Sequence, residues 1–230
     1  MGPGRTADDD TAALLGDPLG QRRRAFMADR GRAHRLRALA AGRFLGVRPK
    51  EVRMACGRNG RPFLPDHPDV DVNLTHTGGA AAVGIAGRRR IGVDLESVRS
   101  LRRADDRMRG AFSPAEWERI GSSKSPDTEL LALWTCKEAL LKSIGVGLRV
   151  PLRDVLTNGV RCHGRLDIRP DPHLDPLGRR WSVWPVLALS GFVGAYAIDS
   201  DDDIPSPVVR VLDRSLPMTR AFNAAAASRR

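Results

Sequence analysis

The sequence predicts an α+β protein, because helical and strand patterns both occur in each half of the chain. Apolar residues recur at helical spacing in two proline-free segments, 22–45 and 128–144. Apolar and polar residues alternate at 70–75 and 91–95, which is the pattern of half-buried strands. A further segment, 181–198, has the composition of a hairpin that folds at a Ser-Gly pair.

Turn signals mark the boundaries of the elements in the N-terminal half. Gly46 and Pro49 end the first helix. Asn59-Gly60 predicts a turn ahead of the first strand. Gly78-Gly79 then separates that strand from a small apolar stretch, which ends at the basic turn 87–90. These signals place at least two strands after the first helix.

The C-terminal half begins with a helix start and contains the strongest helical pattern. Ser113 is placed as an N-cap and Glu116 as its capping-box glutamate. Gly145 ends the long helix that follows. We expect a hinge between residues 97 and 109 and short strands after Gly147. The predicted organisation is a loose arm at 1–18, α+β halves at 19–105 and 106–199, and a mobile tail at 200–230.

Composition indicates a globular protein without a membrane span. Of 230 residues, 41% are hydrophobic and 28% are charged, which suffices to bury a core. No apolar run approaches the roughly 20 residues of a membrane helix. The acidic N-terminal segment does not resemble a secretory signal, so we expect a cytoplasmic protein. The 3 cysteines are widely spaced and predict neither a disulfide framework nor a zinc site.

The chain is strongly basic, with 38 Lys and Arg against 27 Asp and Glu and a net charge of +11. Such a field attracts phosphate-bearing ligands, nucleic acid or acidic protein surfaces. Most of the cations are arginine, which a genome rich in arginine codons explains equally well. Charge alone therefore does not identify the partner.

Two carboxylates, Asp94 and Glu96, lie two residues apart on a predicted strand and so leave the same face. Paired carboxylates suit Mg²⁺, which prefers oxygen ligands and shares them with substrate phosphates. A solvated strand face is the commoner origin of this spacing. The pair alone leaves both interpretations open.

On the strongest helix, Glu138 and Lys142 lie four residues apart and share a face. They form either a surface ion pair or a third metal-binding carboxylate with a phosphate-binding lysine. Thr75 and His76 end a strand before two glycines, where they could line an anion pocket. A structural hydrogen bond is the commoner role of such a histidine.

The order and spacing of these motifs resemble those of the 4′-phosphopantetheinyl transferases, and in particular the surfactin-synthetase-activating type. The resemblance runs from about residue 22 to residue 198. It implies two similar α+β halves arranged as a pseudo-dimer within one chain, and hence a monomer. The motifs that carry it are Gly60-Arg61-Pro62, Asn73–Thr77, Gly92–Glu96, Phe112–Glu116, Trp134–Lys142 and Gly145–Leu148.

The resemblance also implies roles for individual residues. Asp94, Glu96 and Glu138 would hold Mg²⁺, or Mn²⁺, between the two halves. Lys142, His76 and Thr75 would bind the pyrophosphate of coenzyme A, which is the substrate. The remaining coenzyme A contacts would come from Arg61, Pro62 and the N-terminal arginines Arg32 or Arg35, with the run 22–24 adding cations.

The implied reaction transfers 4′-phosphopantetheine from coenzyme A to a serine of an apo acyl or peptidyl carrier protein and releases adenosine 3′,5′-bisphosphate. Glu138 and Lys142 would take part in catalysis. Glu116, or a water at the metal, would accept the serine proton. The carrier proteins would present acidic surfaces to this basic chain.

Two other classes of function compete with this interpretation. A nucleic-acid-binding protein would explain the charge, but aromatic residues are only 5% of the chain and do not form the stacking platforms that such proteins use. A Mg²⁺-dependent phosphohydrolase or nuclease would use the same carboxylates with water as nucleophile. We expect neither nucleic acid nor a membrane as partner.

Overall fold

The computed structural model describes residues 18–57, 60–77, 80–98, 108, 110–147, 150–155, 166–168, 170–189, 191–199 and 208–212. Residues 1–17 of the arm predicted at 1–18, most of the predicted hinge and the turn at 158–159 lie outside these residues, and Pro18 is already the first residue of a helix. Among the described helices, none combines the length and the apolar character needed to cross a membrane.

Helices and strands occur in separate runs along the chain and the larger sheets are antiparallel, which confirms the predicted α+β class. The helices are α1 (Pro18–Leu45), α2 (Pro114–Ser122) and α3 (Pro126–Ile144). The strands are β1 (Ala55–Cys56), β2 (Pro62–Phe63), β3 (Val70–Thr77), β4 (Ala80–Gly87), β5 (Ile91–Ser97), β6 (Leu166–Ile168), β7 (Trp181–Leu189), β8 (Phe192–Asp199) and β9 (Val208–Leu212). Short 3₁₀ turns lie at Pro49–Glu51 and Leu152–Asp154.

The described strands form a small hairpin, β1–β2, and two larger antiparallel sheets. The first sheet has the order β3-β4-β9 and the second the order β5-β8-β7-β6. Strand β5 follows β4 in sequence but pairs with β8, from Ile91 opposite Ile198 to Ser97 opposite Phe192. The chain therefore crosses from one sheet to the other at the β4–β5 turn.

Each sheet packs against one long helix. Helix α1 covers β3 and β4 around buried residues such as Leu36, Val72 and Val83. Helix α3 covers β5, β7 and β8 around Leu133, Leu140 and other buried residues. Burial of a leucine contributes on the order of 2 kcal/mol, so these two contacts fix the helices to their sheets.

Local signals in the sequence explain most element boundaries. The predicted capping box forms at α2, where the Ser113 hydroxyl accepts from the Glu116 amide and the Glu116 side chain accepts from the Ser113 amide. Pro126 starts α3 two residues before the predicted start, and Gly145 ends it in the left-handed conformation at φ 91°.

The structure differs from the sequence-based expectation in two segments. We expected mobility throughout 200–230, but Val208–Leu212 forms β9 and pairs with β4. After Gly147 we expected short strands; the described part has a 3₁₀ turn at Leu152–Asp154 that buries Leu152, and the short strand β6 follows it. Both elements depend on distant partners, which a local sequence pattern does not show.

Candidate active site

Strands β3 and β5 lie side by side where the two sheets meet. There the backbone amides of β5 donate to side chains of β3 and not to backbone carbonyls of another strand. The Ile91 amide donates to the Asp71 carboxylate at 2.8 Å, and the Val93 amide donates to the Asn73 side-chain oxygen at 3.0 Å. These bonds satisfy amides on the edge of β5 that no described strand of its sheet pairs with. They also fix the register of β5 against β3.

The next two polar side chains of β3, which again lie at every second position, contact the acidic side chains of β5. Thr75 donates to Asp94 Oδ1 at 3.2 Å, and Thr77 donates to Glu96 Oε2 at 3.3 Å. Asp94 is buried, with 5% of its surface exposed. A solvated strand face, the alternative for this acidic pair, is therefore wrong for Asp94.

Helix α3 reaches this carboxylate because β5 has a glycine at the crossing point. A Cβ at Gly92 would collide with the Ala139 carbonyl and lie 2.5 Å from the Ser143 amide. The absence of a side chain at Gly92 lets the helix lie directly on the strand. Glu138 and Lys142 on α3 are thereby brought against Asp94 on β5.

Lys142 pairs with Asp94. The Lys142 ammonium donates to Asp94 Oδ1 at 2.5 Å and to the Thr75 hydroxyl at 3.4 Å. The interpretation of Lys142 as a surface partner of Glu138 is therefore wrong, although Glu138 lies close enough to affect its titration. The Lys142 side chain is 28% exposed, so it is partly buried beside Asp94.

The three carboxylates repel one another in a poorly solvated place. Burial, and then the charge of Asp94, raises the pKa of Glu138 to about 7. The same two causes raise the pKa of Glu96. Burial disfavours the Lys142 ammonium, but the adjacent carboxylates, Asp94 first, outweigh this effect and raise its pKa. The cluster is short of positive charge.

The donor set of this cluster fits a hard divalent cation. Asp94 Oδ2 is buried and has no hydrogen-bond partner among the described residues. An unpaired buried carboxylate oxygen is costly unless a cation neutralises it. Within the described part of the chain no three acidic, histidine or cysteine side chains are already gathered as a metal site. Side-chain rotation of Glu96 and Glu138 would have to complete one.

Glu116 lies in a separate buried cluster. Its Oε2 accepts from the Lys137 ammonium at 2.7 Å and from the Ser113 amide at 2.8 Å. Lys137 is fully buried and also donates to the carbonyls of Ala111 and Leu152. These bonds give Glu116 a structural role that joins α2 to α3. They do not favour its predicted role as the general base.

The remaining predicted ligand residues are distributed as follows. Arg61 is turned inward, where it binds Asp71, the Ile91 carbonyl and the Lys142 carbonyl. His76 is half-buried at the end of β3, and Pro62 lies in β2. Arg35 is exposed on α1, whereas the Arg32 side chain and those of residues 22–24 lie outside the described part.

Sequence reasoning missed several residues that build the site. Asp71 was interpreted only as part of the polar half of a strand, and Asn73 and Lys137 lay within the motifs but received no individual role. Their signal was present in β3, where polar side chains occupy every second position from 71 to 77. A strand that buries Val72 and Asn73 on opposite faces needs partners for its polar residues.

Comparison with known proteins supports the predicted resemblance. Residues 90–198 match the family model of the 4′-phosphopantetheinyl transferase superfamily. The chain is 33% identical over 133 residues to the 4′-phosphopantetheinyl transferase HetI of Nostoc sp., covering 56% of this chain and 54% of HetI. It is 29% identical over 128 residues to the 4′-phosphopantetheinyl transferase Sfp of Bacillus subtilis, covering 54% of each.

A eukaryotic relative extends the comparison. The chain is 36% identical over 116 residues to the L-aminoadipate-semialdehyde dehydrogenase-phosphopantetheinyl transferase of Schizosaccharomyces pombe, covering 44% of this chain and 45% of that protein. The chain thus spans about half the length of the curated relatives that it matches. The family match includes the whole of β5 and α3, which supply the carboxylates and Lys142. The motifs, their arrangement in the fold and these similarities together make the chain similar to the 4′-phosphopantetheinyl transferase superfamily, whose family model matches residues 90–198.

Proposed function

We propose that this protein transfers 4′-phosphopantetheine from coenzyme A to a serine of an apo acyl or peptidyl carrier protein. The observation that carries the proposal is the contact between Lys142 and Asp94, which joins the two motifs of the family at one site. In the reaction, the serine hydroxyl gives its proton to a water molecule, and its oxygen forms a bond to the phosphorus that carries pantetheine. The bond from that phosphorus to the bridging oxygen breaks, and adenosine 3′,5′-bisphosphate leaves.

The protein's part in this reaction is to position the two substrates and to neutralise charge. Lys142 would donate to a pyrophosphate oxygen, and the support is its position beside Asp94 together with the 28% of its side chain that is exposed. Thr75 and His76 lie on the neighbouring strand end and supply further polar contacts. A fixed ammonium stabilises the negative charge that develops on the leaving oxygen.

We further propose Asp94, Glu96 and Glu138 as ligands of Mg²⁺. The support is the unpartnered Asp94 Oδ2 and the raised pKa of both glutamates, which a cation would reverse. When bound, the ion would supply electrostatic stabilisation of the diphosphate. The three carboxylates would hold it through oxygen ligands of the kind that Mg²⁺ prefers.

A pseudo-dimer is our proposal for the architecture around this site. Helix α1 lies on the β3–β4 sheet, and α3 lies on the sheet that contains β5 and β8. In each unit one long helix covers one antiparallel sheet, and the site lies where β3 meets β5. A single chain supplies both units, so we expect a monomer that binds an acidic carrier protein.

Incubation of the protein with coenzyme A, Mg²⁺ and an apo carrier protein tests the proposal. We expect the intact mass of the carrier to increase by one phosphopantetheine group, and the increase to require the carrier serine. Breakdown of coenzyme A without a change in the carrier would indicate a phosphohydrolase instead. An unchanged carrier together with intact coenzyme A would contradict both activities.

A further inference from the structure

The two larger sheets meet without a strand ladder between them in the described part of the chain. Strand β3 pairs with β4, whereas β5 pairs with β8 from Ile91 opposite Ile198 to Ser97 opposite Phe192. The hydrogen bonds described from β3 to β5 all involve side chains of β3. The ladder with β8 thus fixes β5 within its own sheet, and side-chain contacts decide where that sheet lies against β3.

A face of small side chains on β4 receives the apolar side chains of β5. Small residues occupy every second position of this face, namely Ala80, Ala82, Gly84 and Ala86. Its alanines cluster with Leu95 at one end and with Ile91 at the other. A Cβ at Gly84 would lie 2.7 Å from Val93 Cγ1 and 2.9 Å from Ile91 Cδ1. The absence of a side chain at Gly84 therefore leaves the space that Val93 occupies.

Asn73 holds the backbone of the same residue. Asn73 lies directly opposite Gly84 in the β3–β4 ladder, so its side chain leaves the face that β5 covers. Its Oδ1 accepts from the Val93 amide at 3.0 Å. Asn73 is 5% exposed and Val93 is fully buried, so loss of this acceptor would leave a buried amide without a partner. We call Asn73 and Gly84 the Val93 seat.

The Val93 seat fixes the residue that directly precedes Asp94. Strands β3 and β5 continue in the same direction, and their next bond joins Thr75 to Asp94 at 3.2 Å. Thr75 and His76 belong to the first sheet, whereas Asp94 and Lys142 belong to the second sheet and its helix. Alignment of the sheets at Val93 therefore sets the distance between the two parts of the site. Displacement of a substrate-positioning group by about 1 Å can reduce a rate by about 100-fold.

We propose that Asn73 and Gly84 are positioning residues that align the two parts of the active site through Val93. This inference rests on the proposed function, because alignment matters to a reaction that uses groups of both sheets. In this role neither residue contacts a substrate. Asn73 acts by binding the Val93 amide, and Gly84 acts by admitting the Val93 side chain.

Two variants disturb the Val93 seat in different ways. Asn73→Leu keeps a side chain of similar size but offers no acceptor to the Val93 amide, whereas Gly84→Ala presses on the Val93 side chain. We expect each variant to lower kcat by about 10- to 100-fold, and the fall in kcat to exceed any rise in KM for coenzyme A. The rates are measured at saturating carrier protein, well below the melting temperature of each variant.

Ser182→Ala is the matched control. Ser182 is a buried polar residue of β7 whose hydroxyl donates to Asp167 of β6 at 2.5 Å. That bond joins two strands at the end of the sheet opposite to β5. We expect the control to melt at a lower temperature and to keep the wild-type kcat. Wild-type kcat in folded Asn73→Leu or Gly84→Ala would overturn the proposal. An equal loss of kcat in Ser182→Ala would also overturn it, because the loss would then follow stability and not alignment.

Nuclear magnetic resonance supplies a readout that needs no turnover. The Val93 amide should exchange with solvent faster in Asn73→Leu than in the wild type or Ser182→Ala. The amide shifts of Asp94 and Glu96 should change in both variants of the Val93 seat and stay unchanged in the control. Unchanged exchange and unchanged shifts would overturn the proposal even if the wild type were inactive as a transferase. An inactive wild type that shows these changes would support the alignment and count against the proposed function alone.

Discussion

Lys142 contacts residues of two other sequence motifs and so joins three motifs in one site. Its ammonium bridges Asp94 and Thr75, and the carboxylates around it raise its pKa despite burial. The ammonium therefore stays charged throughout the physiological range. A charge held in this way acts most strongly when the leaving oxygen becomes negative.

We expect Lys142→Ala to lower kcat more than it weakens the binding of coenzyme A, because the lost interaction is strongest in the transition state. Lys142→Arg should recover only part of the rate, since a planar fork replaces a compact ammonium. Steady-state kinetics with coenzyme A varied at saturating carrier provide the measurement. Lys124→Ala, a change at an exposed lysine, is the control. Wild-type kinetics in both Lys142 variants would remove this residue from the mechanism.

Glu138 gives a prediction about pH. Its pKa in the folded protein, about 7, exceeds the ordinary value of 4.5, so the folded state binds this proton more tightly. Its contribution to stability is complete below about pH 4.5 and is lost as the pH rises through about 7. For protein kept in a chelator, we expect the free energy of unfolding in urea to fall as the pH rises from about 5 to 8.

Glu138→Gln should flatten that dependence, because glutamine does not titrate. Glu118→Gln, at an exposed position of α2, should leave it unchanged. If the free energy of unfolding changed equally with pH in the wild type and in Glu138→Gln, the pKa of Glu138 would not be raised in the folded protein. Added Mg²⁺ should stabilise the wild type most at the alkaline end, where the carboxylates are ionised.

At the scale of elements, the site depends on how closely α3 approaches β5. Gly92 permits the contact, and the alternating side chains of β3 hold β5 in register. The Glu116–Lys137 pair then joins the start of α2 to the middle of α3. Gly92 and the Glu116–Lys137 pair thus place helices, whereas Asp71 and Asn73 place strand β5.

Glu116→Gln tests whether this residue is a structural partner or the general base. Removal of the carboxylate leaves the fully buried Lys137 ammonium without its counter-charge, so we expect a loss of about 3–5 kcal/mol in the free energy of unfolding. Below the melting temperature, the transfer rate should remain within about tenfold of the wild type. Loss of a general base would cost about 10²- to 10⁴-fold. A loss of that size with unchanged stability would restore the catalytic role.

Sequence patterns predicted the helices and strands better than the contacts that these elements make with one another. The alternation around Val93 and the capping signal at Ser113 depend on neighbouring residues, so β5 and α2 could be predicted. The spacing of Glu138 and Lys142 showed that they share a helix face, but not that Lys142 would choose Asp94, which lies 48 residues away. That choice depends on the packing of α3 against β5.

At the scale of the whole molecule, two features bear on how a carrier protein would bind. The chain has a net charge of +11, and the site lies between two sheets. An acidic carrier protein approaching this surface would be attracted before it makes contact. Neither sheet alone contains both Thr75 and Asp94, so the site requires the described core of the chain to fold as a unit.

We expect KM for the carrier protein to rise with salt, because the screening length falls from ~10 Å at 0.1 M to ~3 Å at 1 M. The measurement uses saturating coenzyme A, so that screening of the nucleotide does not contribute. A neutral osmolyte at matched osmolarity is the control. A KM for the carrier that is insensitive to salt would mean that the basic composition has no part in carrier binding.

The central claim is that Asp94, Glu138 and Lys142 form one site for phosphopantetheinyl transfer. The most direct test follows the intact mass of an apo carrier protein with coenzyme A and Mg²⁺, using wild type, Asp94→Asn, Glu138→Gln and Glu118→Gln. The account predicts transfer by the wild type and Glu118→Gln. It predicts a loss of at least about 100-fold in the other two, with the wild-type circular dichroism spectrum retained. Transfer by Asp94→Asn at the wild-type rate would contradict the account.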